Sequence, residues 1–281
     1  MSTRAVTHRS RKKVVQPIAA LVLVAVVIGI PLWLVVVTSA KSQGDALNPS
    51  LALPSDGWHF FSNYRHAFTD GRVIDAFLGS VMIVVPAVII VLLFGSMASW
   101  VLARRSSIWL SSIYAVAISG IVIPPAVITL VLLLRQISLA GTLAGMVLVY
   151  VGIYMSTAIF FITGFIRTIP HELEEAARVD GAGPIRIFFT IILPLLRPVL
   201  ATATILICLY IWNDVFFAFF VVGGRMDTLP LNLFQVASAG VYLNNWNLIF
   251  AYVVQMSIPL LVVFVVAQRR IISGITGGAV K

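Results

Sequence analysis

The sequence predicts an all-α integral membrane protein with six transmembrane helices, and three observations carry that prediction. The chain of 281 residues is 60% hydrophobic and only 10% charged, with a mean hydropathy of +1.05, far outside the soluble range. Apolar runs long enough to cross about 30 Å of hydrocarbon recur along it. Its charges collect in the segments between those runs. A net charge of +9 would suggest nucleic acid in a soluble chain. Here it fits basic loops held at an anionic leaflet, and no nucleic-acid role is expected. The single Cys208 lies within an apolar run and reads as a small buried residue, so no disulfide framework or paired-cysteine metal site is expected.

Residues 1–16 form a basic tail carrying Arg4, Arg9, Arg11, Lys12 and Lys13. The run 17–40 is too long for the apolar part of a signal peptide, and more spans follow, so it reads as a retained first helix. Residues 41–72 make a polar extracytoplasmic loop whose Trp58, Phe60, Phe61 and Tyr64 suit headgroup depth. His59 and His66 in it stand seven apart and lack metal-ligand partners. The remaining five helices occupy a core over 73–268. A second span over 74–102 contains Pro86 and ends at Arg104-Arg105. A third, over 108–134, carries Pro124-Pro125 at mid-depth, which reads either as a hinge or pathway lining or as a packing kink. In the fourth, over 141–166, Gly141 and Gly145 offer a small pair for close helix packing. The fifth covers 198–222, a polar connection with interspersed apolar residues covers 223–247, and the sixth covers 248–267 with Pro259 inside. Residues 269–281 form a C-terminal tail opened by Arg269-Arg270.

Charge sets the orientation. With both termini cytoplasmic, the inner segments hold fourteen of the nineteen Lys and Arg. Only Lys41, Arg65, Arg72, Arg135 and Arg225 fall outside, which satisfies the positive-inside rule. The segment 167–197, between the fourth and fifth spans, is thereby cytoplasmic.

That segment has its own chemistry. Glu172, Glu174, Glu175 and Asp180, four of the ten carboxylates, fall within nine residues. Pro170 and the acids behind it suit the positive end of a helix dipole. Ile169, Leu173, Ala176, Ala177 and Asp180 recur at helical steps and make a narrow face with small residues at its middle. Gly181, Ala182 and Gly183, followed by Pro184, end the helix and turn the chain. A second short helix over 185–192 stops before Leu193-Pro194. The result is a bent, acidic knob displayed to water.

Glu175-Ala176-Ala177, Gly181 six positions on, and Leu193-Pro194 beyond it resemble the EAA loop of the membrane-spanning subunits of ATP-binding-cassette importers. The longer string EAARVDGAGPIRIFFTIILP is similar to the carbohydrate branch, in particular the second permease of the maltose-type pair. FSNYRHAF, the run AFLGSVMIVVP and the tail GITGGAVK resemble segments of the same family. The resemblance implies a permease subunit of a binding-protein-dependent sugar importer in a bacterial or archaeal plasma membrane. Its loop would be a coupling helix, with Glu172, Glu175, Ala176, Ala177, Asp180, Gly181, Ala182, Leu193 and Pro194 facing or shaping the contact with an ATPase subunit. It further implies a homologous second permease, two ATP-binding-cassette subunits and an extracytoplasmic sugar-binding protein as partners. ATP and magnesium would sit on those partners, with no cofactor on this chain.

Asp214 is the one carboxylate inside a predicted span, beside Trp212 and Asn213. A charge at that depth suggests either a structural or gating role or contact with solute. WNDVFF also resembles a segment found broadly in carbohydrate permeases, which favours the former. With Pro124 and Pro125 these three residues are the candidates for a translocation pathway. Enzyme chemistry is not expected. HELEE begins like a zinc-protease helix but Glu175 stands where the second His belongs, and no GxxxxGK[ST] phosphate loop exists. The competing transport reading is an ion-gradient-driven secondary transporter, which would lean on Asp214 and leave the acidic loop unexplained.

Overall fold

The computed structural model describes residues 16–238 and 244–279, with side chains as far as residue 265. Every regular element among them is helical. Four helices are long and apolar enough to cross a membrane unaided: α1 (Gln16–Ser39), α4 (Val73–Arg104), α7 (Leu143–Ile166) and α13, whose stretch Trp246–Val265 qualifies within a helix running to Ala279. Two further pairs qualify only as bent units. These are α5 (Ile108–Val122) with α6 (Val127–Gln136), at 113°, and α9 (Pro184–Leu195) with α10 (Arg197–Trp212), at 74°. The described residues therefore hold four to six candidate spans by length and composition.

The chain divides into two compact units. The first comprises residues 1–73 and 233–257. The connection read as a plain polar loop contains two helices here, α2 (Gln43–Ala46) and α3 (Phe60–Asp70). Asn63 on α3 explains why the segment is ordered. Its amide donates to the carbonyls of Ser39 (2.9 Å) and Lys41 (2.8 Å), and its own oxygen accepts from Asn247 Nδ2 (3.1 Å). Gln255 Nε2 donates to the Tyr64 carbonyl at 2.7 Å. Burial raises the Tyr64 phenol above its ordinary range, against the opposing effect of its Ser39 bond. Lys41 is fully buried, its ammonium satisfied by the Ser50 carbonyl and hydroxyl. Gly71 lies against Tyr252, where a Cβ would come within 2.7 Å of the ring.

The second unit, residues 74–232 and 258–281, is built on α7. Met146, Ala158, Ile162 and Ile166 on this helix are fully buried, and α5, α10 and α11 (Phe216–Val222) all pack on it. Close approach uses Gly120, where a Cβ would meet Ser156 Oγ at 2.4 Å, and Gly95, which faces Ala158. The expected pair Gly141 and Gly145 does a different job. Gly141 has φ +72 beneath the Arg225 side chain, and Gly145 sits 2.1 Å, measured from a virtual Cβ, from the Leu139 carbonyl. Gly141 belongs to the tight turn that feeds α7 and Gly145 to the first turn of α7, where it packs on that same turn and not on another helix.

Two proline-linked differences from the sequence reading share one cause, the missing N–H. Pro124-Pro125 does not bend a continuous third span but breaks it, with residues 124–126 outside any helix. Leu193-Pro194 does not terminate the second loop helix, because the ladder slips there into a π-turn over Phe188–Ile192 and Leu193 N–H reaches back to Phe188. The same device precedes Pro31, where Ile30 N–H reaches Ala25. The fifth span is interrupted as well: α10 ends at Trp212 and α11 begins at Phe216. Beyond it, α12 (Leu229–Ser238) occupies part of the polar connection over 223–247, its first N–H held by Ser80 Oγ at 2.9 Å.

Candidate functional site

Ile166 ends α7, and residues 167–171 turn the chain into α8 (Glu172–Val179). Three acids occupy the first turn of α8 and Arg178 its last, each on the favourable end of the dipole. Asp180 follows as the C-cap, Gly181 takes φ +78, and Ala182 N–H closes onto the Ala177 carbonyl at 2.9 Å. Gly183 is extended and Pro184 opens α9. The bent helix-turn-helix expected from the glycines is present.

Only part of the face read from the periodicity is buried: Ile169 and Ala177 are enclosed, Leu173, Ala176 and Asp180 are exposed, and Glu174 takes a buried place instead. Glu174 is 1% exposed and Ala177 8%, whereas Leu173, Val179 and Ile185 stand 44%, 87% and 73% exposed. Ala176 is exposed, so of the two alanines only Ala177 faces inward. The reason lies 70 residues upstream. Arg104, at the end of α4, places its Nε 2.6 Å from Glu174 Oε1, and both side chains are almost wholly enclosed. Trp100 Nε1, one helical turn earlier, donates to Glu174 Oε2 at 3.1 Å, and Arg178 reaches the same oxygen at 3.4 Å. Arg104 Nη2 also donates to the Ile169 carbonyl at 2.9 Å. A carboxylate is thus drawn inward because a fixed cation waits for it, and apolar side chains are left outside. Glu172, Glu175, Asp180 and Gly181 share the outer surface with those apolar residues. Ala182 is partly covered and lines a cleft of about 620 Å³ with Trp100, Arg104, Arg105 and Pro184. Leu193 and Pro194 lie beyond α9's π-turn, half-buried.

The other candidates gather at the break between α10 and α11. Asp214 does not sit within a helix. Its carboxylate accepts the N–H of Ala218 (3.0 Å) and Phe217 (3.4 Å) in the first turn of α11, and the Tyr150 hydroxyl from α7 at 2.8 Å. It caps a helix and pins it to α7. Asn213 turns its amide back to the Leu209 carbonyl at 2.9 Å. Trp212 is buried edge-on to Phe77, with its indole N–H unpaired among the described residues. Pro124 and Pro125 occupy a separate break and are exposed in this chain. Glu174, Arg104, Trp100 and Tyr150 are the residues sequence reasoning missed. No local pattern marks them, because each gains its meaning from a partner more than sixty residues away.

Comparison with known proteins agrees with this architecture. Residues 91–277 match the family described as binding-protein-dependent transport system inner membrane component. The chain is 37% identical over 260 residues to the melibiose/raffinose/stachyose import permease protein MelC of Bacillus subtilis, covering 90% of this chain and 91% of that one. It is 35% identical over 271 residues to the diacetylchitobiose uptake system permease protein NgcG of Streptomyces coelicolor, covering 94% and 87%. Among solved structures, a chain of a bacterial ABC transporter involved in the import of the acidic polysaccharide alginate superposes with a TM-score of 0.78 at 21% identity, over 96% of this chain and 98% of that one, which shows a shared fold. With two-thirds of its length inside the family match, this chain belongs to the inner membrane components of binding-protein-dependent transport systems.

Proposed function

We propose that this chain is one half of the translocation pathway of an ATP-driven sugar importer, and that α8 is the helix through which it engages a separate ATPase subunit. The observation that carries the reading is the composition of the outer surface of the loop. Leu173, Val179 and Ile185 are exposed beside Glu172, Glu175 and Asp180, on a loop whose first helix is clamped from beneath by Glu174. Apolar side chains held in water on a rigid, acid-rimmed knob fit a partner's groove. The relatives named above are import permeases for oligosaccharides, which makes a short oligosaccharide the solute class to test first.

The remaining parts follow from this reading. Six spans result if each bent pair crosses once, with both termini and the loop cytoplasmic by the distribution of Lys and Arg. The complex would hold a homologous permease, two ATPase subunits carrying ATP and magnesium, and an extracytoplasmic binding protein, all in a bacterial or archaeal plasma membrane. Closure of the ATPase pair would move the loop and shift the spans between inward- and outward-open states, provided the loop makes different contacts in each. An ion-gradient-driven transporter has little left to support it, since the Asp214 carboxylate is already occupied as a helix cap. Purification of the chain from its native membrane tests the proposal: an ATPase subunit should co-purify, and raffinose uptake into proteoliposomes should require ATP and survive collapse of ion gradients. Uptake that follows the ion gradient would refute it.

A further inference from the structure

Three links tie the 169–183 loop to the spans, and only one of them reaches a long helix without an intervening turn or bend. Downstream, α9 passes through a π-turn and a 74° bend before reaching α10. Upstream, α7 ends at Ile166 and is joined through a non-helical turn. The third link is not covalent. It is the contact with α4, which runs for 32 residues without a break, about 48 Å at 1.5 Å per residue. Arg104 at its end makes three bonds into the loop: to Glu174 Oε1, to the Ile169 carbonyl, and to His171 Nε2 at 3.3 Å. A guanidinium can only donate, so the imidazole nitrogen is the acceptor in the last of these. Trp100 grips the second Glu174 oxygen from one turn earlier.

Resting on the coupling role proposed above, we infer that the Arg104–Glu174 pair is the rigid joint that carries movement of the loop into the second span, so that α4 and α8 travel as one body. Packed apolar groups resist compression but slide and separate with little directional preference. A buried, charge-assisted network with four fixed bond directions resists pull and slip as well as push. It also fixes the register of α8 against α4, because Glu174 meets Trp100 and Arg104 at once. Glu174 and Arg104 are positioning residues here, acting through the helices they join.

Paired spin labels test the joint in the purified complex in lipid nanodiscs, with Ser106→Cys and Val179→Cys in a Cys208→Ser background. One narrow distance, the same without nucleotide and with trapped ATP, is expected. In Glu174→Gln the distribution should broaden and become nucleotide-dependent. A wild-type distance that changes on trapping ATP would overturn the inference, as would a Glu174→Gln complex with the wild-type distribution. Should the variants fail to assemble, the wild-type measurement still decides. Failure of the coupling role itself would look different: the Val179 label would show no approach to an ATPase subunit, whatever its distance from Ser106.

Discussion

Glu174 illustrates how one side chain can reverse a surface. Its carboxylate and the Arg104 guanidinium are both enclosed, so removing Glu174 leaves Arg104 buried without its carboxylate partner, and removing Arg104 leaves Glu174 only Trp100 and the longer contact to Arg178. Glu174→Ala is expected to cost about 3–5 kcal/mol, whereas the double replacement Arg104→Met/Glu174→Leu should cost far less because both charges go together. Thermal unfolding in detergent, compared across the three proteins, checks this. At the α10–α11 break the balance differs. Asp214 retains two backbone donors when Tyr150 is replaced, so Tyr150→Phe should cost roughly 1 kcal/mol, and Asp214→Ala more, since it abandons the cap as well. The acid cluster was legible in the sequence because it is local. Which acid turns inward was not, since Arg104 reads equally well as a cytoplasmic charge anchor.

Glycine and proline decide where the helices stop. Gly181 has open space around it, so a side chain there meets no neighbour and the whole penalty is conformational. Gly181→Asn should be tolerated, while Gly181→Val should lose about 1–2 kcal/mol or more of loop order, read out as faster amide exchange over α8. Gly79 is the opposite case: its φ is ordinary, but a Cβ would lie 2.0 Å from the Asp227 carbonyl. Gly79→Ala should therefore prise the turn before α12 from α4 and lower thermal stability by about 1–3 kcal/mol. Gly181 was legible because an acidic helix followed by Gly-Ala-Gly-Pro is local turn chemistry. The two breaks were not. Pro124-Pro125 cannot by itself tell a bend from a rupture, and WNDVFF hides a helix end inside an apolar run, where hydropathy continues although hydrogen bonding does not.

At the scale of the whole chain, hydropathy and charge gave the membrane class directly, because lipid demands helices and long apolar runs of anything that crosses it as a single chain of this composition. What they could not give was the helices too short to count as spans. α3 and α12 have mixed composition, and each is held by contacts distant in sequence, Asn63 to Asn247 and Ser80 to Leu229. The functional reading turns on whether α8 is a lever pressed by another protein. A photo-crosslinking amino acid at Val179, the most exposed apolar position of α8, tests this most directly in native membranes. The account predicts a crosslink to a nucleotide-hydrolysing subunit that weakens in Gly181→Val. Crosslinks to lipid alone, or to a protein on the outer side of the membrane, would contradict it.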